Sequence, residues 1–388
     1  MTKTLKNIVD LFTSLKLTIV CLAMGMALIF AGTLAQVHLG IHEAQQRYFQ
    51  SMFVWWPAQG GGFKVPVFPG GHLIGAVLLV NLIAAHAKRF RWAWRKLGIH
   101  LTHAGLIIML AGGLFTDLFA VESFMQLKRG DTKNYSEDQR RTELAVIDTT
   151  DSDLDQVTAI PDVVLRHNRV IDHGSLPFRI AVRNFYPNSR LKMLADAGEN
   201  ARPIANQGPG AMITVQSVPR ATAADERDMP SAAIEIEPRD GGSLGTWLVS
   251  DGLGAPQTFS CAGRTWMITM RPTRYYKPYS ITLQKFTHER YAGTEIPKNF
   301  ASRVTLIDSE RSVDRDVLIY MNHPLRYRGE TFYQAGFQKD DSATILQVVH
   351  NPSFLAPYVA CIIVATGLLV QFGFHLVGFA RQRRAAFA

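Results

Sequence analysis

The chain predicts a membrane protein of mixed α + β class: four transmembrane helices, with a large antiparallel β-rich extracytoplasmic domain between the third and the fourth. Two observations carry this reading. Long apolar runs gather towards the two ends of the chain, and the stretch between them is built from short segments in which apolar and polar residues alternate. Composition agrees, because 47% hydrophobic and 19% charged residues over 388 positions suit neither a multi-span transporter nor an ordinary soluble enzyme, whereas a chain of two unlike parts fits.

The apolar runs cover residues 15–37, 72–87, 101–119 and 354–379. Each spans or nearly spans a hydrocarbon core of about 30 Å. The second, within "GHLIGAVLLVNLIAAHAKRF", is the shortest and carries Asn81 and His86. Charge supports it as a true span. Lys3 and Lys6 precede the first run, "KRFRWAWRK" (88–96) joins the second to the third, and "RQRR" (381–384) follows the fourth. All three clusters share one side if all four runs cross, and that side is expected to be the cytoplasm of a bacterial inner membrane. Three regions follow: a membrane region of three spans (1–120), an extracytoplasmic β domain (121–353), and a fourth span with a basic cytoplasmic tail (354–388).

The same clusters account for much of the formal net charge of +9, so the expected partner is a lipid bilayer and no nucleic acid. The first run is too long for a signal-peptide core and lacks an obvious small-residue cleavage site, so it is expected to stay attached. The loop 35–70, with "YFQSMFVWWPAQGGGFKVPVFPGG", is aromatic and ends in turn formers; it is expected to lie along the membrane interface.

In the β domain, eleven runs read as strands: "TELAVIDT", "FRIAVRNFY", "AMITVQSV", "AAIEIEP", "GTWLVSD", "TWMITMRP", "YSITLQKF", "SRVTLID", "DVLIYMN", "ETFYQAGFQ" and "TILQVVH". No strong helical stretch interrupts them, which argues for a sandwich or an open barrel. Segments 194–210 and 219–231 read as loops. No internal repeat suggests a propeller or solenoid.

Chemistry is sparse. Cys21 and Cys361 fall in spans and Cys261 is alone outside, which leaves no intradomain disulfide, CxxC pair or CxxCH haem-attachment site. There is no G-x-S-x-G elbow, HExxH helix or Gly-rich phosphate loop, so no autonomous catalytic residue is assigned. "WWP" (55–57) is too short to be a haem-handling tryptophan motif, and His167, His173, His288, His323 and His350 read as scattered structural or surface residues.

Three segments, however, place histidine near one membrane edge: His86 before the basic loop, His100 and His103 after it, and His375 before "RQRR". His100 and His103 share a helix face, and His103 lies roughly 10 Å along the helix from Lys96. Two readings stand for each. A histidine near a helix end can rest among headgroups, or an ionisable group in a span can mark a ligand site. His103 lies deepest and is followed by Ala104, Gly105, Gly112 and Gly113, small residues that admit a second helix or a flat macrocycle. If His103 binds a cofactor, haem is the natural candidate, with Arg89, Arg91, Arg95 and Lys96 near enough to meet its propionates.

The C-terminal part carries a specific likeness. "YAGTEIPKNFASRVTLID" (291–308), "VLIYMNHPLRYRGETFYQAGFQ" (317–338) and "ILQVVHNPSFLAPYVACIIVATGLLVQF" (345–372) resemble the ResB-like (CcsB) family of system II cytochrome c biogenesis. "LKLTIVCLAMGMALIFAGTLAQ" (15–36) and "LPFRIAVRNFYPNS" (176–189) are similar to that family's first span and domain core. The resemblance implies a non-autonomous subunit of a membrane haem lyase. With a CcsA (ResC)-type partner it carries haem b, not covalently attached to this chain, from the cytoplasmic side to the outer face, where the haem joins the CxxCH thiols of apocytochrome c. It also implies that a transmembrane histidine supplies one axial ligand to the haem iron; His103 best matches that position and His100 is second.

Two other readings are carried forward. The β domain is a scaffold that holds apocytochrome or a thioredoxin-like thiol reductant while the spans only anchor it, or the chain is a transporter unrelated to haem. The first predicts dispensable membrane histidines; the second lacks the inverted repeat and paired broken helices such transporters use.

Overall fold

A computed structural model describes residues 3–56, 63–151, 153–198, 201–222, 226–294, 297–338 and 340–386. It divides into two compact units, one built mainly from Met1–Val121 and His350–Ala388, the other from Glu122–Ala221 and Asp225–Val349.

The first unit is helical: α1 (Lys3–Phe12), α2 (Leu15–Ala44), α3 (Gly71–Arg89), α4 (Leu97–Phe119) and, at its C-terminal end, α6 (Ala356–Ala386). Segments Leu15–Phe49, Gly71–Arg89, Trp94–Phe119 and Ala356–Ala385 are long and apolar enough to cross a membrane. Ile29, Phe30, Ile362, Leu369 and Phe372 are exposed on them, as a lipid-facing surface requires and an aqueous one disfavours. The Ser14 side chain caps α2 by accepting from the Lys16 N–H. The helix runs past the expected 15–37, and Gly40, at φ 76°, takes up the kink near its end.

Asn81, the polar residue that weakens the second span as a hydropathy signal, is buried and fully used. Its Oδ1 accepts from Thr18 Oγ1 at 2.6 Å, and its Nδ2 donates to the carbonyls of Phe12 and Ser14 at 2.8 and 3.1 Å. It therefore ties α3 to the turn between α1 and α2. The expected interfacial loop contains a hairpin: β1 (Phe53–Trp56) pairs antiparallel with β2 (Val65–Pro69). Residues 57–62, including Pro57 of "WWP", lie outside the described residues.

The second unit is β-rich. Its first half contains β3 (Val121–Lys128), β4 (Thr132–Asp148), β5 (Gln156–Pro161), a short helix α5 (Asp162–His167), β6 (Val170–Ile171), β7 (Phe178–Tyr186), β8 (Ser189–Met193) and β9 (Ile213–Ser217). Then come β10 (Ser231–Pro238), β11 (Thr246–Ser250), β12 (Gln257–Cys261) and β13 (Arg264–Arg290). The last are β14 (Pro297–Asp308), β15 (Val313–Tyr320), β16 (Leu325–Tyr327), β17 (Glu330–Phe337) and β18 (Ala343–His350). Each of the eleven expected runs overlaps a strand, although Ala211 and Met212 of "AMITVQSV" form a 3-10 turn before β9, and β7 matches "FRIAVRNFY" residue for residue.

The runs "TWMITMRP" and "YSITLQKF" prove to be one 27-residue strand, β13, whose pairing with β4 slips twice, between Pro272 and Arg274 and between Tyr276 and Ile281. Those irregularities break the alternation and hide the continuity. They also let one strand serve two cores. The N-terminal part of β13 sends Trp266, Ile268 and Met270 into a sandwich core with Phe178, Ile180, Ile234 and Phe259, faced by the sheet β11-β10-β7-β6. The C-terminal part sends Tyr279, Ile281 and Leu283 into a second core with Val304, Leu306, Phe332, Leu346 and Val348. Around this second core the strands run in the order β15-β14-β13-β4-β3-β18-β17-β16, curled so that Ser302 of β14 bonds Gln334 of β17. Both alternatives, sandwich and open barrel, are thus present in one unit.

Candidate functional site

Helix α4 has two different faces. Gly98, Gly105 and Gly112, spaced by seven, lie against α6. A Cβ at Gly98 would stand 2.5 Å from the Gly367 carbonyl oxygen, one at Gly105 2.5 Å from Val364 Cγ2, and one at Gly112 2.5 Å from Ala356 Cβ. The small residues expected to admit a helix or a macrocycle therefore admit a helix: Gly105 and Gly112 belong to this seam, while Gly113 has open space beside it.

The other face carries His100 and His103, and α3 brings His86 to them. The His86 ring stacks on His103 at 5.3 Å between centroids and meets His100 edge-on at 5.1 Å; Phe90 packs on His100 at 4.7 Å. Three histidines from two helices are thus in mutual contact. His375, on α6, is bound instead to Gln371, whose Nε2 donates to its ring at 2.9 Å, and makes no contact with the three among the described residues.

Hydrogen bonds assign the ring protons. His103 Nδ1 lies 2.8 Å from the Ile99 carbonyl and must donate to it, so that in the neutral ring Nε2 is a bare lone pair. His100 Nε2 donates to the Arg91 carbonyl at 3.2 Å, and its Nδ1 is buried without a partner among the described residues. His86 makes no hydrogen bond among the described residues. This is the arrangement a neutral imidazole ligand needs: one nitrogen held by a backbone carbonyl, the other free. Yet no group of three His, Cys, Asp or Glu is disposed to chelate a metal ion among the described residues.

Of the four cations near this edge, Arg89 donates to the Thr13 carbonyl at 3.1 Å, and neighbouring Lys88 pairs with Asp10 at 2.6 Å. Arg91, Arg95 and Lys96 form no ion pair among the described residues. Trp92 and Trp94 are exposed beside them, as aromatic residues at a membrane interface are.

At the opposite ends of α3 and α4, His72 pairs with Asp117, whose other oxygen accepts from Gln50 Nε2 at 2.7 Å. Sequence reasoning missed this pair. Its signal was present, since Asp117 is a carboxylate inside an apolar run and such a group calls for a partner. In the second unit, His288, expected to be a structural or surface residue, is buried: its side chain is 3% exposed and bonded to Asp341.

Comparison with known proteins bears on the second unit. Residues 240–345 match the model of the ResB-like family. Protein NrfI of Wolinella succinogenes is 33% identical over 92 residues, 24% of this chain and 10% of that protein, so the match spans about a tenth of this curated relative's length. The blocks 291–308 and 317–338 lie inside the family match, whereas 15–36, 176–189, nearly all of 345–372 and the histidine cluster lie outside it. The segment that carries the most specific likeness is thus similar to the ResB-like family over residues 240–345.

Proposed function

We propose that this chain is a subunit of a membrane cytochrome c synthase, which accepts haem b at the cytoplasmic edge of the bacterial inner membrane and presents it outside for attachment to the CxxCH thiols of apocytochrome c. The supporting family match ties the chain to cytochrome c biogenesis. The observation that carries the haem step is the meeting of His86, His100 and His103 beside the basic loop.

The residues fit haem better than a bare metal ion. Haem iron arrives with four equatorial nitrogens and needs only an axial imidazole, so a cluster unable to chelate an ion can still ligate it. His103 offers the free Nε2, and its Nδ1–H bond to Ile99 holds the ring in that tautomer. His100 is second, with its orphaned Nδ1. Arg91, Arg95 and Lys96 supply positive charge where carboxylates would meet the headgroup layer. When bound, haem supplies the vinyl groups on which thioether bonds form.

One protein-derived axial ligand leaves the other to a CcsA/ResC-type partner, and the ResB-like unit would guide apocytochrome c and a thiol reductant by proximity and orientation. The test is the absorption spectrum of the full chain, co-purified with such a partner. His103→Ala should remove the bis-histidine haem signature and added imidazole should restore it. Full haem and full cytochrome assembly in variants of all three histidines would transfer the assignment to the scaffold reading.

A further inference from the structure

Helix α1, "KTLKNIVDLF", has 10 residues and is therefore about 15 Å long, roughly half the depth of a hydrocarbon core. It is too short to be a span. Nor does it lengthen α2, because Ser14 is extended, at φ −81° and ψ 131°, and breaks the helix before Leu15. Yet its sequence is strongly two-faced. At about 100° per residue, Lys6, Asn7 and Asp10 fall on one side, and Ile8, Val9 and Phe12 fall on the other with Leu11 at the border.

The contacts of α1 are the reverse of those of an amphipathic helix docked on a protein in water. Such a helix buries its apolar face. Here the polar side and the C-terminal end are the parts held: Lys88 Nζ of α3 donates to Asp10 Oδ1 at 2.6 Å and to Thr13 Oγ1 at 3.2 Å, and Arg89 Nη2 donates to the Thr13 carbonyl at 3.1 Å. The apolar face is left out, with Ile8 49% and Leu11 56% exposed. That surface continues onto the start of α2, where Leu15 and Ile19 are 61% and 59% exposed on a segment apolar enough to cross a membrane. What covers the one should cover the other, and that is lipid.

We propose that α1 is a membrane-surface helix, lying in the headgroup layer at the edge that carries the basic loop, with Ile8, Val9 and Leu11 among the acyl chains and anionic phospholipid bound through Lys6 and Lys16. The charge favours anionic lipid over a neutral one. Asp10, the acidic residue of α1, is already matched by Lys88, whereas Lys6 and Lys16 form no ion pair among the described residues. Interfacial helices draw on apolar burial and on attraction to acidic headgroups together. Because Lys88 and Arg89 open the basic loop two and three residues after His86, a lipid-seated α1 also steadies that loop. The inference uses nothing of the haem reading and stands on lipid contact alone.

The test uses the full chain in vesicles of phosphatidylcholine, alone or mixed with phosphatidylglycerol. A photoreactive benzoylphenylalanine is placed at position 7, 8 or 11 in separate variants, and mass spectrometry identifies what it captures. Positions 8 and 11 should yield phospholipid adducts, and position 7 several-fold fewer. Hydrogen exchange of amides 4–12 should be at least about tenfold slower in the mixed vesicles than in phosphatidylcholine. Lys6→Gln with Lys16→Gln should abolish that difference. Ile8→Asp with Leu11→Asp should remove the protection of α1 in both vesicles while α2, α3 and α4 keep theirs, which shows that the fold survives. Asp10→Asn should keep the lipid adducts but quicken exchange in 88–96. Capture of protein instead of lipid at 8 and 11, equal labelling of all three positions, or exchange that ignores both lipid charge and the aspartates would overturn the proposal.

Discussion

The two faces of α4 are made of the same kind of helix, yet one is spent on packing and the other on exposed chemistry. Towards α6 it presents Gly98, Gly105 and Gly112, against which backbone and methyl groups leave no room for even one carbon. Towards α3 it presents His100 and His103, whose rings are held by carbonyls but whose remaining nitrogens are uncommitted. Helix association in lipid depends on close van der Waals fit, so a face that must stay rigid uses glycine. A face with unmatched imidazoles is poor glue and makes sense only if something else completes it.

The strongest way to break this contrast is to fill the glycine seam. Gly98→Leu places atoms onto the Gly367 carbonyl and the Gln371 backbone, neither of which can rotate away. Overpacking typically costs ~1–3 kcal/mol, and backbone obstruction should bring this case to the upper end or beyond. The expected outcome is a fall of many degrees in the melting temperature in detergent, with haem lost only as a consequence. Gly113→Leu, with open space beside it, should leave melting unchanged.

Emptying the histidine face should do the reverse. His103→Ala is expected to leave melting within about 0.5 kcal/mol of wild type, as for surface substitutions away from special features, and to weaken haem binding by more than the ~10–100-fold seen for outer-shell partners of a ligand. His86→Ala and His100→Ala should each give smaller losses, because neither nitrogen set is as clearly prepared as His103 Nε2. Titration in haem, read from the Soret band, ranks the three.

A control on the side of structure is Asn81→Ala. It leaves the Phe12 and Ser14 carbonyls and the Thr18 hydroxyl without their partner, and interhelical hydrogen bonds in membranes contribute about 0.6–2 kcal/mol. A modest drop in melting temperature with unchanged haem affinity is expected. The smallest effect should come from Arg95→Gln, which removes one surface charge: haem binding should weaken slightly, and less so at high salt.

Much of this was legible in the sequence, and the exceptions share a cause. Spans and strands are local patterns, so "FRIAVRNFY" maps onto β7 without error. β13 was read as two strands because its bulges interrupt the local alternation at Pro272 and again before Ile281. The membrane histidines were legible as neighbours of one edge, since the basic loop is short, but the stacking of His86 on His103 is a tertiary fact. Asp341 is 53 residues from His288, and His72 is 45 from Asp117, separations at which no spacing rule operates. The glycines were visible, but which neighbour they admit was not.

The central claim is that the histidine face of α4 ligates haem iron through His103. It is tested most directly by the absorption spectrum of the full chain co-expressed with a CcsA/ResC-type protein, the partner proposed above, for wild type and His103→Ala, with and without imidazole. The account predicts a bis-histidine spectrum that His103→Ala abolishes and imidazole restores. An unaltered spectrum in His103→Ala would contradict it.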